Sequence, residues 1–129
     1  MATHSPSTRF VLRPVSDRKV GVPDGAWWPE TRTLSDQLGM LVALWPPEAG
    51  RIIRVLYSPP DWDDRPRSVA VGAGRRIKTG SFPRDDTQQL TVSMMNGDRR
   101  TISVIAPNTS PDTAAAALSG IAAGEVSRS

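Results

Sequence analysis

The second half of the chain alternates short apolar runs with turn residues, and this spacing restricts the possible folds more than any other feature. Five strand-like runs follow one another, at residues 51–57, 68–71, 75–79, 90–94 and 102–106. The segments between them are too short to hold the crossover helices that parallel neighbours need. The first run is largely apolar on both faces, which is typical of a central strand covered on both sides. We therefore expect an antiparallel meander within an α+β fold.

One helix is predicted before this meander and one after it. The apolar stripe of the first helix consists of Leu34, Leu38, Leu41, Val42 and Trp45. Thr33 is its N-cap candidate, with Asp36 three residues further on. Ser110 and Pro111 are the residue types that open a second, alanine-rich helix. With an edge strand at residues 9–15, the sheet has about five to six strands, and a closed SH3- or Sm-like small barrel is the alternative.

The final hairpin contains a register signal. Leu90 and Val92 alternate with polar residues, and so do Ile102 and Val104 across the turn. If both apolar sets face the core, opposed residues have an even position sum, as Val92 and Ile102 would. This register requires an odd-numbered loop, such as residues 96–98.

Length and composition describe a single domain. The chain has 129 residues, no cysteine and no apolar run long enough to cross a bilayer. We expect a globular domain over residues 9–124, with disordered tails at 1–8 and 125–129. The lack of cysteine rules out a disulfide framework, a thiol nucleophile and a thiolate metal site. The first ten residues lack an apolar signal segment, so a cytoplasmic location is the default expectation.

Arginine dominates the positive charge. The formal net charge is +3, and all of the sixteen basic residues except Lys19 and Lys78 are arginine. A GC-rich genome accounts for this excess together with the abundant alanine, glycine and proline. Selection for phosphate contacts is the second interpretation, since the guanidinium group matches phosphate geometry.

One stretch of the chain is basic without an acidic residue. Residues 65–84 contain six basic residues, which are Arg65, Arg67, Arg75, Arg76, Lys78 and Arg84. If residues 68–79 form a hairpin, Arg76 and Lys78 share one strand face while Ile77 points inward. Basic residues along a strand suit phosphate contacts. An ordinary solvated face, with salt bridges to acidic residues on either side, is the simpler interpretation.

Trp27 and Trp28 are adjacent, between an Asp-Gly turn signal and Pro29. In an extended segment they point to opposite sides, so we expect one to be buried and the other half-exposed with its N–H bonded. The outer indole would offer a shelf for a base, a proline-rich peptide or an apolar ligand. Anchoring of the loop to the core is the interpretation that we favour.

Residues suited to catalysis are few. The single histidine, His4, lies in the expected tail, so a histidine-based acid–base site is not predicted. Asp61, Asp63 and Asp64 offer oxygen ligands for a hard cation, but their surroundings lack the glycine and the glutamate of an EF-hand loop. We therefore expect a solvated acidic loop, with no catalytic residue, no metal site and no cofactor.

The motifs DGAWWP at residues 24–29 and RVLY within residues 54–62 form a specific combination. With the hairpin at 71–82 and the segment at 106–109, they resemble a small actinobacterial family known only as a domain of unknown function. The resemblance spans most of residues 9–124. The chain departs from the pattern at Glu30, Thr31 and Ser58. The resemblance implies no activity, but it does imply an actinobacterial, GC-rich origin.

These observations favour a small, non-enzymatic binding or regulatory module. Its candidate contact residues are Trp27, Trp28, Arg75, Arg76 and Lys78. The alternative is a nucleic-acid-binding protein that uses the basic face of residues 65–84, and an enzyme with a carboxylate or metal site is the least favoured. The expected partner is a protein or a nucleic acid rather than a membrane.

Overall fold

A computed structural model describes residues 9–14, 21–71, 74–81 and 88–123. The elements in these ranges are β1 (Phe10–Leu12), β2 (Gly25–Trp27), α1 (Leu34–Leu44), β3 (Ile52–Tyr57), β4 (Ser68–Ala70), β5 (Arg76–Ser81), β6 (Gln89–Met94), β7 (Arg99–Val104) and α2 (Pro111–Ala122). Single 3₁₀ turns at Pro47–Ala49 and Pro59–Asp61 follow α1 and β3. The α+β prediction is confirmed. The predictions for the two tails, for His4 and for Arg84 lie outside the described residues.

All of these strands form one open sheet in the order β1-β2-β7-β6-β3-β5-β4. Most neighbours are antiparallel, but β2 pairs with β7, and β3 pairs with β5, in parallel. The prediction of a pure meander is therefore wrong, and the sheet does not close into the alternative barrel. After β3, the connection at residues 58–67 does not place the next strand, β4, beside β3, but one strand position further out. As a result β4 forms the sheet edge, and its hairpin partner β5 returns alongside β3.

β2 is a strand that the sequence pattern misses, because it has only three residues and two of them are small. Gly25 has no room for a side chain, since a Cβ there would overlap the backbone oxygen of Val11 on β1. On the other side, the Asp24 carboxylate accepts a hydrogen bond from the backbone N–H of Thr101 at 2.8 Å. The backbone N–H of Asp24 donates to the carbonyl of Thr101, also at 2.8 Å. The DGAWWP segment therefore joins β1 to the rest of the sheet.

α1 begins where the sequence predicts, but its cap comes from a distant loop. Thr33 occupies the N-cap position and makes no side-chain cap bond. Instead, the Asp64 carboxylate accepts hydrogen bonds from the backbone N–H groups of Leu34 at 2.6 Å and Ser35 at 3.0 Å. These bonds satisfy helix donors that have no partner within the helix.

A β-bulge in β3 changes which side chains face the core. The register between β3 and β6 shifts between Ile52 and Arg54, which leaves Ile53 as an extra residue that is 44% exposed. Ile52 and Val55 are buried, whereas Arg54 is exposed. The prediction of a central strand is confirmed, because β3 lies between β6 and β5. The prediction that both faces are covered is wrong.

The odd-numbered loop of the last hairpin is confirmed, one residue before the expected 96–98. Val92 pairs with Arg100 rather than with Ile102, so opposed residues do have an even position sum. Backbone hydrogen bonds close the loop around residues 95–97. This register sets Arg100 opposite Val92, on the same side of the sheet as Ile102 and Val104.

Arg100 is only 2% exposed. Its guanidinium donates to the Asp98 carboxylate at 3.3 Å and to the carbonyl of Arg13 at 3.0 Å. A buried charge needs bonds of this kind to offset the loss of water. The buried arginine is therefore a structural residue.

The helices cover the two faces of the sheet unequally. α1 lies on one face, where its buried residues Leu34, Leu38 and Leu41 join the main core. At one sheet edge β4 contacts α1, and at the other edge the Phe10 ring of β1 lies 5.6 Å from the ring of Trp45, the residue that follows α1. α2 covers only the β1–β2 end of the opposite face, where Leu118 and Ile121 pack on Ala26. The rest of that face has no helix over it among the described elements.

α2 begins with the predicted local cap. The Ser110 hydroxyl oxygen accepts a hydrogen bond from the backbone N–H of Thr113 at 3.3 Å. Ala114, Leu118 and Ile121 are its buried residues, whereas Ala117 is exposed. In the part of the chain that the structure describes, no helix is long and apolar enough to cross a membrane.

Candidate functional site

Trp27 belongs to the core. It is 1% exposed, and its ring centroid lies 5.7 Å from that of Trp62, with the two rings tilted by 32°. Trp62 closes the core beneath the loop that follows β3 and is itself buried. Trp27 therefore has almost no surface that a partner could reach.

Trp28 is half-buried beneath a cation. The Arg9 guanidinium carbon lies 4.3 Å from the Trp28 ring centroid, and Nη1 of Arg9 donates to the Trp28 carbonyl at 2.9 Å. Glu30 lies 3.7 Å from Arg9, and its backbone N–H donates to the Gln37 side chain of α1 at 2.8 Å. The prediction that the outer indole N–H is hydrogen-bonded is wrong, because Nε1 of Trp28 is buried and has no hydrogen-bond partner within the described ranges. The geometry supports the interpretation of this loop as an anchor.

The basic residues around β5 point in two directions. Arg76 and Lys78 are exposed on β5 while Ile77 between them is fully buried, as predicted. Arg75 lies just before the strand, and its Nη2 donates to the carbonyl of Ile52 at 2.9 Å. Arg75 therefore lies apart from Arg76 and Lys78, and it lines a separate cleft.

The uncovered part of the sheet is the surface to which Arg76 and Lys78 belong. We call it the open face, and it consists of Arg54, Leu56, Ser68, Ala70, Arg76, Lys78, Gly80, Gln89, Thr91, Ser93, Arg99, Thr101 and Ser103. Each of these residues is exposed or half-buried. Strand register sets Lys78 opposite Arg54, Arg54 opposite Ser93, and Ser93 opposite Arg99. The open face thus presents one row of basic and hydroxyl side chains across β5, β3, β6 and β7.

The charge on the open face has a single sign. None of the strands β3 to β7 contains an aspartate or a glutamate. Among the described residues, the side chains of Arg54 and Lys78 have no hydrogen bond or ion pair. Arg76 is held in place, since its guanidinium donates to the Ser68 hydroxyl at 2.8 and 3.0 Å.

Sequence reasoning finds Arg76 and Lys78 but misses Arg54. The apolar residues around Arg54 predict two covered faces, and the sequence does not show the bulge at Ile53, which places Ile52 on the core side and leaves Arg54 on the solvent side. The alternating hydroxyl residues of β6 and β7 are a usable signal, because period-2 alternation marks a half-covered sheet. That alternation predicts that β6 and β7 have a polar side. It does not show that β3 and β5 continue the same polar surface.

The acidic loop has structural roles. Asp64 caps α1, Asp63 pairs with Arg32 at 3.0 Å, and Asp61 accepts a hydrogen bond from the backbone N–H of Gln88. Over the described part of the chain, no group of three or more acidic or histidine residues is placed to hold a metal ion. Each carboxylate of this loop is thus bonded within the protein.

Two of these carboxylates have shifted acidity. Burial raises the pKa of Asp61, and its hydrogen bond from Gln88 only partly offsets this. Burial also acts to raise the pKa of Asp64, but hydrogen bonds from the Ser35 side chain and from the start of α1 outweigh it and lower that pKa. The lowered pKa is what a helix cap produces, because the N-terminus of a helix stabilises the charged form of a carboxylate.

The fold and the open face together define a small α+β protein with a mixed sheet, one side of which is basic and, among the described elements, largely without a helix over it. A family model for a family of unknown function, DUF5994, matches residues 9–121. The chain belongs to this family, which confirms the resemblance to a domain of unknown function and assigns no activity. No match was found among curated proteins or among solved structures.

Proposed function

We propose that the chain is a non-enzymatic binding module whose open face holds an anionic partner. The observation that carries this proposal is the pair formed by Arg54 and Lys78, which lie directly opposite each other on β3 and β5. Like charges in opposed positions destabilise a sheet. A bound anion placed between them would turn this repulsion into attraction.

The side chains around this pair suit the same kind of partner. Ser93 and Thr91 on β6, and Thr101 on β7, are half-buried hydroxyl residues on the open face. Hydroxyl groups next to guanidinium and ammonium groups are the donors that commonly contact phosphate oxygens. The open face therefore offers both charge and hydrogen bonds to an oxyanion.

A nucleic acid is the more specific candidate partner. The row of basic and hydroxyl residues crosses four strands, which suits a backbone with regularly repeated phosphates. Within the described residues, the open face contains no aromatic side chain, so base stacking has no platform there. We therefore expect contacts to the phosphate backbone with little sequence preference.

A titration of a fluorescently labelled single-stranded oligonucleotide at several salt concentrations tests this proposal. For single strands, each phosphate contact contributes a slope of about −0.7 to the plot of log affinity against log salt. The double variant Arg54→Gln/Lys78→Gln should reduce the magnitude of this slope by about 1.4. The matched control Arg65→Gln/Arg67→Gln removes the same charge from two exposed residues of the segment before β4, neither of which belongs to the open face as defined, and it should leave the slope nearly unchanged.

Two results would contradict the proposal. Equal losses in the variant and the control would show that only the overall charge matters. The absence of binding at low salt to both the oligonucleotide and polyglutamate would rule out an anionic partner. Binding of polyglutamate alone would indicate an acidic protein as the partner in place of a nucleic acid.

The regulatory role, the cytoplasmic location and the actinobacterial origin remain predictions of composition and resemblance.

A further inference from the structure

A second concave site lies on the other side of the sheet, where α1 ends and β3 begins. It is a half-open cleft of about 380 Å³. Its lining residues are Val42, Trp45, Pro47, Gly50, Arg51, Ile52 and Arg75. This volume lies within the range typical of small-molecule sites. The cleft contains none of the residues of the open face, so it is a separate site.

Two guanidinium groups supply the charge of this cleft. Arg75 is half-buried, and its hydrogen bond to the Ile52 carbonyl at 2.9 Å fixes the guanidinium at the cleft. Arg51 is exposed at the cleft. Among the described residues, neither arginine has an acidic partner, and no acidic residue lines the cleft. The polar side of the cleft is therefore suited to an oxyanion.

Apolar side chains form much of the remaining lining of the cleft. Trp45 and Ile52 are buried core residues, and Val42 of α1 lies beside them. Gly50 has φ +108 and lies so close to β6 that a Cβ there would come within 3.0 Å of Met94. Glycine suits this position for two reasons, because its φ is positive and because the chain passes too close to Met94 of β6 to leave room for a side chain.

From this arrangement we propose that the cleft binds a small organic carboxylate with an aromatic or branched aliphatic body. The guanidinium groups would bind the carboxylate, and the Trp45 wall would pack against the body. At roughly 30 Å³ for a water-sized group, the cleft holds on the order of a dozen non-hydrogen atoms. A phenyl ring with a short carboxylate chain has this size.

Nuclear magnetic resonance of the full chain with phenylacetate as the probe tests this inference. The Trp45 indole N–H signal, assigned with Trp45→Phe, should shift saturably with a dissociation constant on the order of a millimolar, as expected for a ligand of this size. The indole signals of Trp27 and Trp62, which do not line the cleft, should stay in place. Phenylacetamide, which has the same shape without the charge, should bind at least tenfold more weakly.

Matched variants assign the charge. Arg51→Gln should weaken phenylacetate binding about tenfold, since a charged hydrogen bond is lost. Arg75→Gln also removes the bond to Ile52, so the exposed Arg51 gives the cleaner readout. Arg65→Gln, at an exposed residue that does not line the cleft, removes the same charge and should leave the affinity unchanged within about twofold.

The inference is overturned by any of four results: no saturable shift at Trp45, equal binding of phenylacetamide, equal weakening by Arg65→Gln, or inorganic phosphate binding as tightly as phenylacetate. The last result would reduce the site to one for a bare oxyanion. Because the oligonucleotide titration uses Arg54 and Lys78, either proposal can fail while the other holds.

Discussion

The two faces of β6 differ although they belong to the same six residues. Leu90, Val92 and Met94 are buried in the main core together with the leucines of α1, whereas Gln89, Thr91 and Ser93 remain exposed or half-buried on the open face. The need for a core explains the first set, since buried apolar side chains drive folding. Exposure to water alone would allow any polar residue, acidic or basic, at the positions of the second set. The neighbouring strands add only positive charge to it, and this one-sided choice is what points to an anionic partner.

The largest effect is expected from truncating the covered face. Leu90→Ala should lower the free energy of unfolding by about 2–5 kcal/mol, because it removes a fully buried side chain and leaves a cavity. The neighbouring Thr91→Ala on the open face should change it by less than about 0.5 kcal/mol. Urea denaturation of both variants measures the difference. Similar losses in the two variants would show that the open face is also part of a packed layer.

A smaller effect is expected from loosening the helix that covers the core. Asp64→Ala should cost about 1–2 kcal/mol, because it leaves N–H groups at the start of α1 without their acceptor. Thr33→Ala should cost much less, since Thr33 makes no side-chain cap bond. Thermal denaturation compares the two variants. A larger loss for Thr33→Ala would mean that the cap is local after all.

The stabilisation that the Asp64 cap provides should depend on pH. Because the folded protein lowers the pKa of Asp64 below its ordinary value of 3.8, the stabilisation is complete above that value. It is lost as the pH falls through the lower folded pKa. The difference in stability between the native chain and Asp64→Asn should therefore be constant near neutral pH and shrink below about pH 4. Denaturation at a series of pH values measures it, and a difference that grows on acidification would contradict the assignment.

The smallest effect is expected on the open face itself. Arg54→Gln/Lys78→Gln should keep or raise the stability by about 0.2–1 kcal/mol, since it removes a repulsive cross-strand pair. The effect should fade as salt is added, because salt screens exposed charges. Urea denaturation at low and high salt measures it. A clear destabilisation would mean that these side chains support the fold and are not kept for a partner.

The sequence is informative where a pattern is local. Hydrophobic spacing predicts α1, the Ser-Pro pair predicts the start of α2, and alternation predicts the odd loop of the last hairpin. Parallel pairing of β3 with β5 is a long-range outcome that no local signal contains. The cap of α1 is missed for the same reason, since Asp64 lies about thirty residues after the helix start.

The candidate site follows the same division. Arg76 and Lys78 are predicted because both lie on one strand with Ile77 buried between them. Arg54 becomes visible only when the bulge at Ile53 places Ile52 on the core side, away from Arg54, and the sheet brings Arg54 beside Lys78. The Trp27–Trp28 pair shows the reverse, since a conspicuous motif proves to be mainly a structural anchor.

Methyl chemical shifts upon addition of the oligonucleotide show which side of the protein it contacts, because they report on each face of the sheet separately. If the open face holds the oligonucleotide, the methyl signals of Thr91 and Thr101 should move, while those of Val55 and Ile77 on the covered face stay in place. Shifts confined to the covered face, to Trp28 or to the cleft would contradict this expectation. So would the absence of any shift at low salt.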